Sequence, residues 1–242
     1  MNARSEQAGR RIGTLEVIDL GRMGYARAHE TQRRHHETVL GWREDAAGGA
    51  DRPLGRVLIV EHDPVITISR RPGVAAHLLA SEAMLAQRGI EVCETDRGGD
   101  ITYHGPGQAV VYPIVDLKRS GIRVIEWVRL LEQAVIDAIA ADGIVGERDE
   151  DATGVWVGGA DGAPAAKVCA IGVRVRRWVT MHGLALNVRT DLSHFDTIVP
   201  CGLAGRPVTS LEALLGDGCP PLGGVADRVV ARIAALVGEA GG

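Results

Sequence analysis

The sequence predicts one α+β domain. Its 242 residues suit a single large domain with a sizeable core. Predicted strands occur in groups with helices between the groups, which argues against a regularly alternating parallel fold. Hydrophobic residues make up 45% of the chain and charged residues 24%, which is typical of globular proteins and excludes a disordered chain. We expect residues 1–13 to be a flexible N-terminal segment and residues 14–242 to form the domain.

The predicted strands are short runs in which apolar residues alternate with polar ones or follow one another without interruption. In chain order they cover residues 15–20, 57–62, 65–68, 89–94, 109–117, 154–158, 167–176 and 180–188. We interpret 57–62 and 65–68 as a strand pair interrupted at Asp63 and Pro64. The last three strands together suggest an antiparallel meander.

The predicted helices carry apolar residues at helical spacing. They cover about residues 25–40, about residues 124–142 and a closing segment that begins near Val225, while residues 74–88 are short-helix or loop material. The expected core stripe of the second helix consists of Val124, Val128, Leu131, Val135 and Ile139. His35 and His36 lie on the polar face of the first helix, where we expect solvated side chains.

A glycine-rich loop runs from Arg97 to Gln108, between two predicted strands. Glycine loses more backbone freedom on folding than other residues, so a dense cluster indicates a turn at positive φ or backbone that approaches a ligand closely. Composition leaves both interpretations open, a long hairpin turn and a binding loop. Residues 42–53 and the turn-rich insertion 159–166 are two further predicted loops.

Charge and cysteine usage exclude several classes of protein. The formal net charge of -4 gives no general attraction to nucleic acid, and basic and aromatic residues do not interleave as they do where bases stack. The four cysteines have no paired short spacing, so the sequence has neither a zinc motif nor a redox CxxC motif. No apolar run reaches membrane-spanning length, and the polar N-terminus cannot be a secretory signal, which predicts a cytoplasmic protein with reduced thiols. We expect no metal, no cofactor and a monomer.

Cys201 lies between a proline and a glycine in a predicted loop, whereas buried structural cysteines usually lie within apolar strands or helices. A free thiol with a pKa of about 8.5 is only a few per cent thiolate at neutral pH, and a nearby cation raises that fraction. Lys118 and Lys167 are the only lysines among 27 basic residues, so a lysine here invites a functional explanation. Cys201 is a candidate nucleophile, and a small buried hydrophobic residue is the alternative interpretation.

Several arginines are candidates for a protein-binding surface. Arg174 and Arg176 alternate with valines in a predicted strand and Arg177 follows them, so all three are expected to project to solvent. They form either a solvated strand face or, with Arg70 and Arg71, a docking patch for an acidic partner.

Four segments carry the most distinctive patterns in the chain. They are residues 97–108 (RGGDITYHGPGQ), 166–172 (AKVCAIG), 181–188 (MHGLALNV) and 200–202 (PCG). Together they resemble the octanoyltransferases, the lipoyl(octanoyl) transferases of lipoate biosynthesis, also called the lipoate-protein ligase B family. The similarity runs from about Leu15 to Leu215, and the four motifs occur in the family's order, which is far more specific than any one motif.

The resemblance implies an acyltransferase. Members take an octanoyl group from octanoyl-acyl carrier protein, hold it as a thioester on a cysteine and pass it to a specific lysine of a lipoyl domain. The implied acceptors are the lipoyl domains of 2-oxoacid dehydrogenase complexes and the glycine cleavage H protein. Cys201 matches the acyl-thioester cysteine, and Lys167 matches the lysine that promotes its ionisation. Arginine is effectively never deprotonated in proteins, so only lysine could serve as base as well as cation.

The resemblance also implies substrate contacts and a fold. The positions that match the family's substrate-contacting stretches are Arg97, Gly98, Gly99, Asp100, Ile101, Thr102, Tyr103, His104, Ala170, Ile171, Gly172, Gly183, Leu184 and Ala185. The implied fold is the α+β catalytic domain shared with biotin- and lipoate-protein ligases, with mixed or antiparallel sheets flanked by helices. A narrow apolar tunnel would suit an eight-carbon chain, and backbone N–H groups could stabilise the oxyanion of acyl transfer. His104 either orients the acyl group or closes the loop.

Three alternatives remain open at this point. An ATP-dependent lipoate or biotin ligase on the same scaffold would activate its acid as an adenylate and would need no cysteine nucleophile. A lipoyl amidotransferase would share the thioester cysteine, and its acyl donor would distinguish it. A non-catalytic binding module for lipoyl or acyl proteins would predict a Cys201 that is unreactive towards alkylating agents at neutral pH.

Overall fold

The computed structural model describes residues 9–43, 51–158, 165–203 and 205–240. The strands in these ranges are β1 Arg10–Ile12, β2 Leu15–Met23, β3 Gly55–His62, β4 Val65–Ser69, β5 Glu91–Thr95, β6 Ile101–His104, β7 Gln108–Val115, β8 Gly146–Glu147, β9 Val155–Val157, β10 Ala166–Arg176 and β11 Val179–Asn187. The α-helices are α1 Tyr25–Gly41, α2 Glu82–Gln87, α3 Val124–Ala140, α4 Leu211–Leu215 and α5 Leu222–Ala240. Short 3₁₀ turns cover Val74–His77, Leu192–Thr197, Pro200–Gly202 and Gly216–Gly218.

The strands form two sheets. The large sheet has eight strands in the order β1-β2-β3-β7-β11-β10-β9-β8, and the small sheet has three in the order β5-β4-β6. The pairs β2–β3 and β4–β5 are parallel, whereas the other pairs are antiparallel. The predicted α+β class is confirmed, and so is the predicted meander, because β9, β10 and β11 pair in antiparallel succession.

Helices cover both faces of the large sheet. One face packs on α3 and α5, and the largest cluster of buried side chains lies in that layer. The other face packs on α1 around residues such as Ala28 and Val39. A third, smaller cluster joins the small sheet to Phe195 and Ile198. The small sheet therefore lies beside the large one and leaves a cleft where the segments from residue 97 to residue 104 meet β10 and β11.

The core stripe of α3 differs from the predicted one only near its start. Leu131, Val135 and Ile139 are fully buried as expected, but Val124 is 41% exposed. The fully buried Trp127 takes the core position of the first turn, since it lies four residues before Leu131 and so on the same helix face. Val124 is the first residue of α3 and projects away from the sheet.

His35 and His36 were expected to be solvated, and this expectation is wrong because both are buried. The face of α1 that packs on the sheet includes polar residues, which the apolar pattern does not reveal. Some polar atoms of this face have partners there: Arg56 Nη1 lies 2.9 Å from His35 Nδ1, and Gln32 Oε1 accepts a hydrogen bond from the backbone N–H of His182 at 2.9 Å. Such hydrogen bonds offset part of the desolvation free energy that is lost when a polar side chain is buried.

Two interpretations of the strands need correction. β3 and β4 do not pair with each other, because the chain leaves the large sheet at Asp63 and Pro64 and enters the small one. The glycine-rich segment is not a continuous loop either, since its central residues form β6. Those four residues are all buried, and their pairing with β4 satisfies backbone groups that a buried loop would leave unpaired.

Other predicted segments are only partly described. Strand β1 lies within the segment 1–13 and pairs with β2, while residues 1–8 lie outside the described residues. Most of the predicted loop 42–53 and of the insertion 159–166 also lies outside them. No helix in the described ranges has the length and apolarity needed to cross a bilayer.

Candidate functional site

Lys167 and Cys201 meet in the cleft. Lys167 Nζ donates a hydrogen bond to Cys201 Sγ at 3.3 Å, although the two residues are 34 positions apart. The pairing of β10 with the following chain explains this contact. The backbone N–H of Lys167 donates to Pro207 O and its carbonyl accepts from Thr209 N, both at 2.9 Å. The segment that follows the Cys201 turn therefore forms a parallel β-bridge with the start of β10.

The Lys167 side chain is buried and held in one place. Its Nζ also donates to Thr153 O at 3.0 Å and lies 4.7 Å from the centre of the Trp156 ring. Arg206 stacks on the same ring at 3.8 Å. In the described part of the chain no carboxylate lies within ion-pair distance of Lys167. Its charge is therefore balanced locally by a carbonyl dipole, an aromatic face and the Cys201 sulfur.

Cys201 has an unusual backbone conformation. Its φ of 57° and ψ of 16° place it in the left-handed region, which a side chain rarely adopts, and Gly202 follows with a φ of 68°. Such a residue costs on the order of 1–3 kcal/mol and persists where the surroundings enforce it. The half-buried Cys201 side chain is thereby directed at Lys167 instead of lying in a strand, as the fully buried Cys169 does.

A cavity opens beside these two side chains. Its volume of about 190 Å³ is more than ten times the roughly 10–15 Å³ that a single water needs, so it can hold a chain of atoms. The predicted residues that line it are Arg97, Gly99, Asp100, Ile101, Thr102, His104, Lys167, Ala170, Ile171, Gly172, Gly183, Leu184, Ala185 and Cys201. Tyr25, Tyr112 and His182 complete the deep wall.

Gly98 and Tyr103 are the two predicted binding residues that do not line this cavity. The Tyr103 hydroxyl lies 2.7 Å from His194 Nδ1, on the other side of β6. Gly98 instead joins the loop to β10, because its N–H donates to Val173 O at 3.0 Å. A Cβ on Gly172 would lie 2.7 Å from Gly98 O, so the two backbones approach more closely than any side chain allows. The glycines thus set the width of the cleft.

Two buried histidines, His104 and His182, line the cavity, and His62 packs against the His104 ring. Burial lowers the pKa of His62 to about 4 and that of His182 to about 3, and burial likewise holds the pKa of His104 well below its usual range. His104 donates from Nδ1 to Gln108 Oε1 at 2.7 Å and stacks on Tyr25. At neutral pH these imidazoles carry no charge, so the wall suits an uncharged ligand.

Arg97 lines the cavity together with two other basic residues, Arg71 and Lys167. Its guanidinium donates to Thr67 O at 2.8 Å and to Thr67 Oγ1 at 2.9 Å, and it also reaches Gly98 O. Burial lowers the pKa of Arg97, while Tyr25 and then Cys201 act in the opposite direction. Arginine stays protonated even so.

One cluster has the composition of a metal site. His29, Asp96 and His182 place donor atoms within 4.8 Å of one another. Arg174 also pairs with Asp96, and His182 Nε2 donates to Asp96 Oδ1 at 2.8 Å. This hydrogen bond and this ion pair occupy the Asp96 carboxylate, whereas His29 Nε2 and His182 Nδ1 are buried without a hydrogen-bond partner among the described residues. The ion pair also corrects the expectation that Arg174 is a solvated member of a row, since its charge is directed back to Asp96.

The sequence did not point to His77, although it lies against the Cys201 turn. His77 Nδ1 donates to Asp100 Oδ1 at 2.6 Å, and the backbone carbonyl of His77 accepts from Val199 N at 2.8 Å. A Cβ on Gly202 would lie 3.0 Å from His77 Cε1. Trp156, Thr153 and the turn residue His77 come from segments without a distinctive motif, so only their positions in space identify them.

Comparisons with known proteins agree with one another. The family model described as the lipoyl protein ligase A/B catalytic domain matches residues 37–234. An octanoyltransferase of Chloroflexus aggregans is 46% identical over 224 residues, which cover 92% of this chain and 95% of that protein. An octanoyltransferase of Flavobacterium psychrophilum is 44% identical over 209 residues, which cover 84% of this chain and 88% of that protein.

Solved structures show the shared fold. A bi-partite lipoate protein ligase from Thermoplasma acidophilum superposes with a TM-score of 0.65 at 16% identity, covering 93% of this chain and 84% of its own. A biotin protein ligase from Aquifex aeolicus superposes with a TM-score of 0.53 at 14% identity, covering 92% of this chain and 70% of its own. The predicted biotin- and lipoate-protein ligase fold is confirmed.

Proposed function

The chain belongs to the lipoyl protein ligase A/B catalytic-domain family and is an acyltransferase of the octanoyltransferase type, and on this premise we propose that it transfers octanoyl groups through a thioester on Cys201. The donor is octanoyl-acyl carrier protein and the acceptor is a lysine of a lipoyl domain, as in 2-oxoacid dehydrogenase complexes and the glycine cleavage H protein. Residues 14–242 act as one catalytic domain.

The observation that carries the proposal is the 3.3 Å contact between Lys167 Nζ and Cys201 Sγ at the wall of the cavity. A nucleophile within hydrogen-bond reach of a base is the arrangement that covalent catalysis requires. Lys167 is itself fixed by Thr153 O and by the Trp156 ring, which keeps Nζ at the sulfur without a competing carboxylate.

In the first step Cys201 gives its proton to Lys167, and the thiolate attacks the thioester carbonyl of the donor. The tetrahedral intermediate collapses, the bond from carbon to the donor sulfur breaks, and the Lys167 ammonium protonates the departing thiolate. In the second step the acceptor amine attacks the Cys201 thioester, and the Cys201 sulfur leaves and regains a proton. Lys167 can serve in both directions because an amine, unlike a guanidinium, can release its proton.

The cavity walls support an uncharged aliphatic ligand. Ile171, Leu184 and Ala185 line it with apolar groups, and the buried histidines behind them are neutral at physiological pH. A pocket of mainly apolar lining with a few directed polar groups is typical of small-ligand sites. The octanoyl chain fits this description better than a charged adenylate does.

Mass spectrometry of the intact protein tests the proposal. Incubation with octanoyl-acyl carrier protein, without ATP, should add one octanoyl mass to the wild-type chain. Cys201→Ala should abolish the adduct, whereas Cys93→Ala, at another half-buried cysteine, should retain it. An unmodified wild-type protein, or full transfer activity in Cys201→Ala, would contradict the mechanism. A requirement for ATP and free octanoate would indicate a ligase, and octanoylation by an octanoylated lipoyl domain alone would indicate an amidotransferase.

A further inference from the structure

The proposed second step releases one proton more than Lys167 can accept. An acceptor lysine arrives as an ammonium and leaves as an amide N–H, so it loses two protons. One returns to the Cys201 sulfur through Lys167, as the thioester bond breaks. The other must leave before the amine can attack, because an ammonium has no lone pair. Water could take this proton directly, but a second proton acceptor near the entrance of the site, with an exit to solvent, would remove it where the amine meets the thioester.

The pair formed by His77 and Asp100 is suited to this task. His77 donates Nδ1–H to Asp100 Oδ1 at 2.6 Å, so Nε2 carries the lone pair of the neutral ring. Asp100 Oδ1 is fixed in turn by the backbone N–H of Ile101 at 2.8 Å. The His77 side chain is 33% exposed, so the ring lies at the protein surface and not in the core.

The pair also lies at the reacting residue. Asp100 lines the same cavity as Cys201, and both His77 Cε1 and Asp100 Oδ2 lie within 3.2 Å of the position that a Cβ on Gly202 would take. Gly202 directly follows Cys201, so the imidazole edge abuts the turn that carries the nucleophile. The absence of a side chain at residue 202 is what admits the ring.

Other titratable groups at the cavity are less suitable. Burial holds the pKa values of His104 and His182 far below neutrality, and neither has a direct route to solvent. Asp151 lines the cavity and is exposed, but a carboxylate is a much weaker base than an imidazole. A positioned histidine is the common general base in such steps.

We propose that His77, oriented by Asp100, removes the proton from the incoming lysine ammonium and passes it to water, while Lys167 handles the proton exchanged with Cys201. This inference rests on the proposed function. It divides the proton transfers between two bases, one at the sulfur and one at the entrance. His77 should therefore matter for acyl transfer to lysine and not for acylation of the enzyme.

Single-turnover measurements on His77→Gln test the inference. The octanoyl-enzyme is formed first and then mixed with a lipoyl domain or with hydroxylamine, an amine that is already unprotonated near neutral pH. We expect acylation and release by hydroxylamine to be unchanged, and transfer to the lipoyl domain to be slower by about 10²-fold, the usual contribution of a general base. Added imidazole should partly restore His77→Ala.

The outcomes are distinct. If His77→Gln slows hydroxylamine release as much as lysine transfer, His77 only supports the Cys201 turn and the inference is wrong. Unchanged transfer to the lipoyl domain would also overturn it. If the wild-type chain acquires no octanoyl group, the proposed function fails and this inference fails with it, whereas a normal adduct with a fully active His77→Gln refutes the inference alone.

Discussion

Lys167 Nζ lies 4.7 Å from the centre of the Trp156 ring. The same nitrogen donates to Thr153 O at 3.0 Å and to Cys201 Sγ at 3.3 Å, and Arg206 stacks on the Trp156 ring at 3.8 Å. Three different partners thus fix a single compact nitrogen. A planar guanidinium has a different shape and a different set of donor directions, so this enclosure is specific for lysine.

Lys167→Arg should therefore keep the positive charge and lose the reaction. We expect single-turnover acylation by octanoyl-acyl carrier protein to fall by about 10²-fold or more, because proton transfer by a positioned group contributes 10²–10⁴-fold. Lys167→Met should lose at least as much. Circular dichroism of both variants controls for folding. A fully active Lys167→Arg would mean that only the charge matters.

Cys201 should be the reactive thiol of the chain. We expect iodoacetamide at neutral pH to alkylate Cys201 first, and Lys167→Met to slow this modification, because the ammonium stabilises the thiolate. Cys169 provides the internal comparison: it is fully buried, and burial raises its pKa to about 12. Peptide mass spectrometry over a time course gives the order of modification. Equal protection of Cys201 and Cys169 would favour a binding module without covalent chemistry.

Gly172→Ala should narrow or distort the cavity. Its Cβ would lie 2.7 Å from Gly98 O, a backbone atom that cannot rotate away. We expect a loss of roughly 1–3 kcal/mol in the free energy of unfolding, as for other overpacked sites, together with a raised KM for the acyl donor. Gly223→Ala in α5 is the matched control, because nothing lies within 4 Å of its Cβ position. There alanine should be neutral or stabilise by about 0.4–1 kcal/mol. Equal stability of the two variants would show that the backbone at Gly98 moves away from the added methyl group without cost.

Much of this architecture could be predicted from the sequence, and the failures have physical causes. The spacing of apolar residues predicts α1, α3, α5 and most strands, because an element that buries one face must carry apolar residues at regular intervals. The same reasoning fails at His35 and His36, where the buried face is polar and hydrogen bonds replace apolar contact. It also misses the separation of β3 from β4, since a local pattern does not specify which sheet a strand joins.

The candidate site also has a part that the sequence predicts and a part that it does not. Cys201 and Lys167 stand out by local context, a thiol in a Pro-Cys-Gly turn and a lysine in an arginine-rich chain. Their contact could not be derived from spacing, because it depends on the pairing of Lys167 with residues 207–209. His77 carries no local signal at all, and its position against Gly202 follows from the packing of the Val74–His77 turn on the Cys201 turn.

The buried histidines should make the protein sensitive to acid. His62 is fully buried, donates from Nδ1 to Met23 O and accepts from the Tyr112 hydroxyl at 2.7 Å. Burial lowers its pKa to about 4, whereas in the unfolded chain it titrates near the ordinary histidine value of 6.5. Between these two pH values the unfolded state binds more protons than the folded one, so stability rises with pH and is lost as pH falls.

We expect His62 alone to contribute roughly 2 kcal/mol to the fall in unfolding free energy between about pH 7 and about pH 5. His182 and His104, whose pKa values burial lowers as well, should steepen the wild-type dependence further. Urea unfolding at several pH values measures the slope for the wild-type chain and for His62→Gln, whose side-chain amide can still accept from Tyr112. The variant should be less stable at neutral pH and less sensitive to acid, so the two curves should converge as pH falls. Parallel curves would mean that His62 is protonated in the folded protein without penalty.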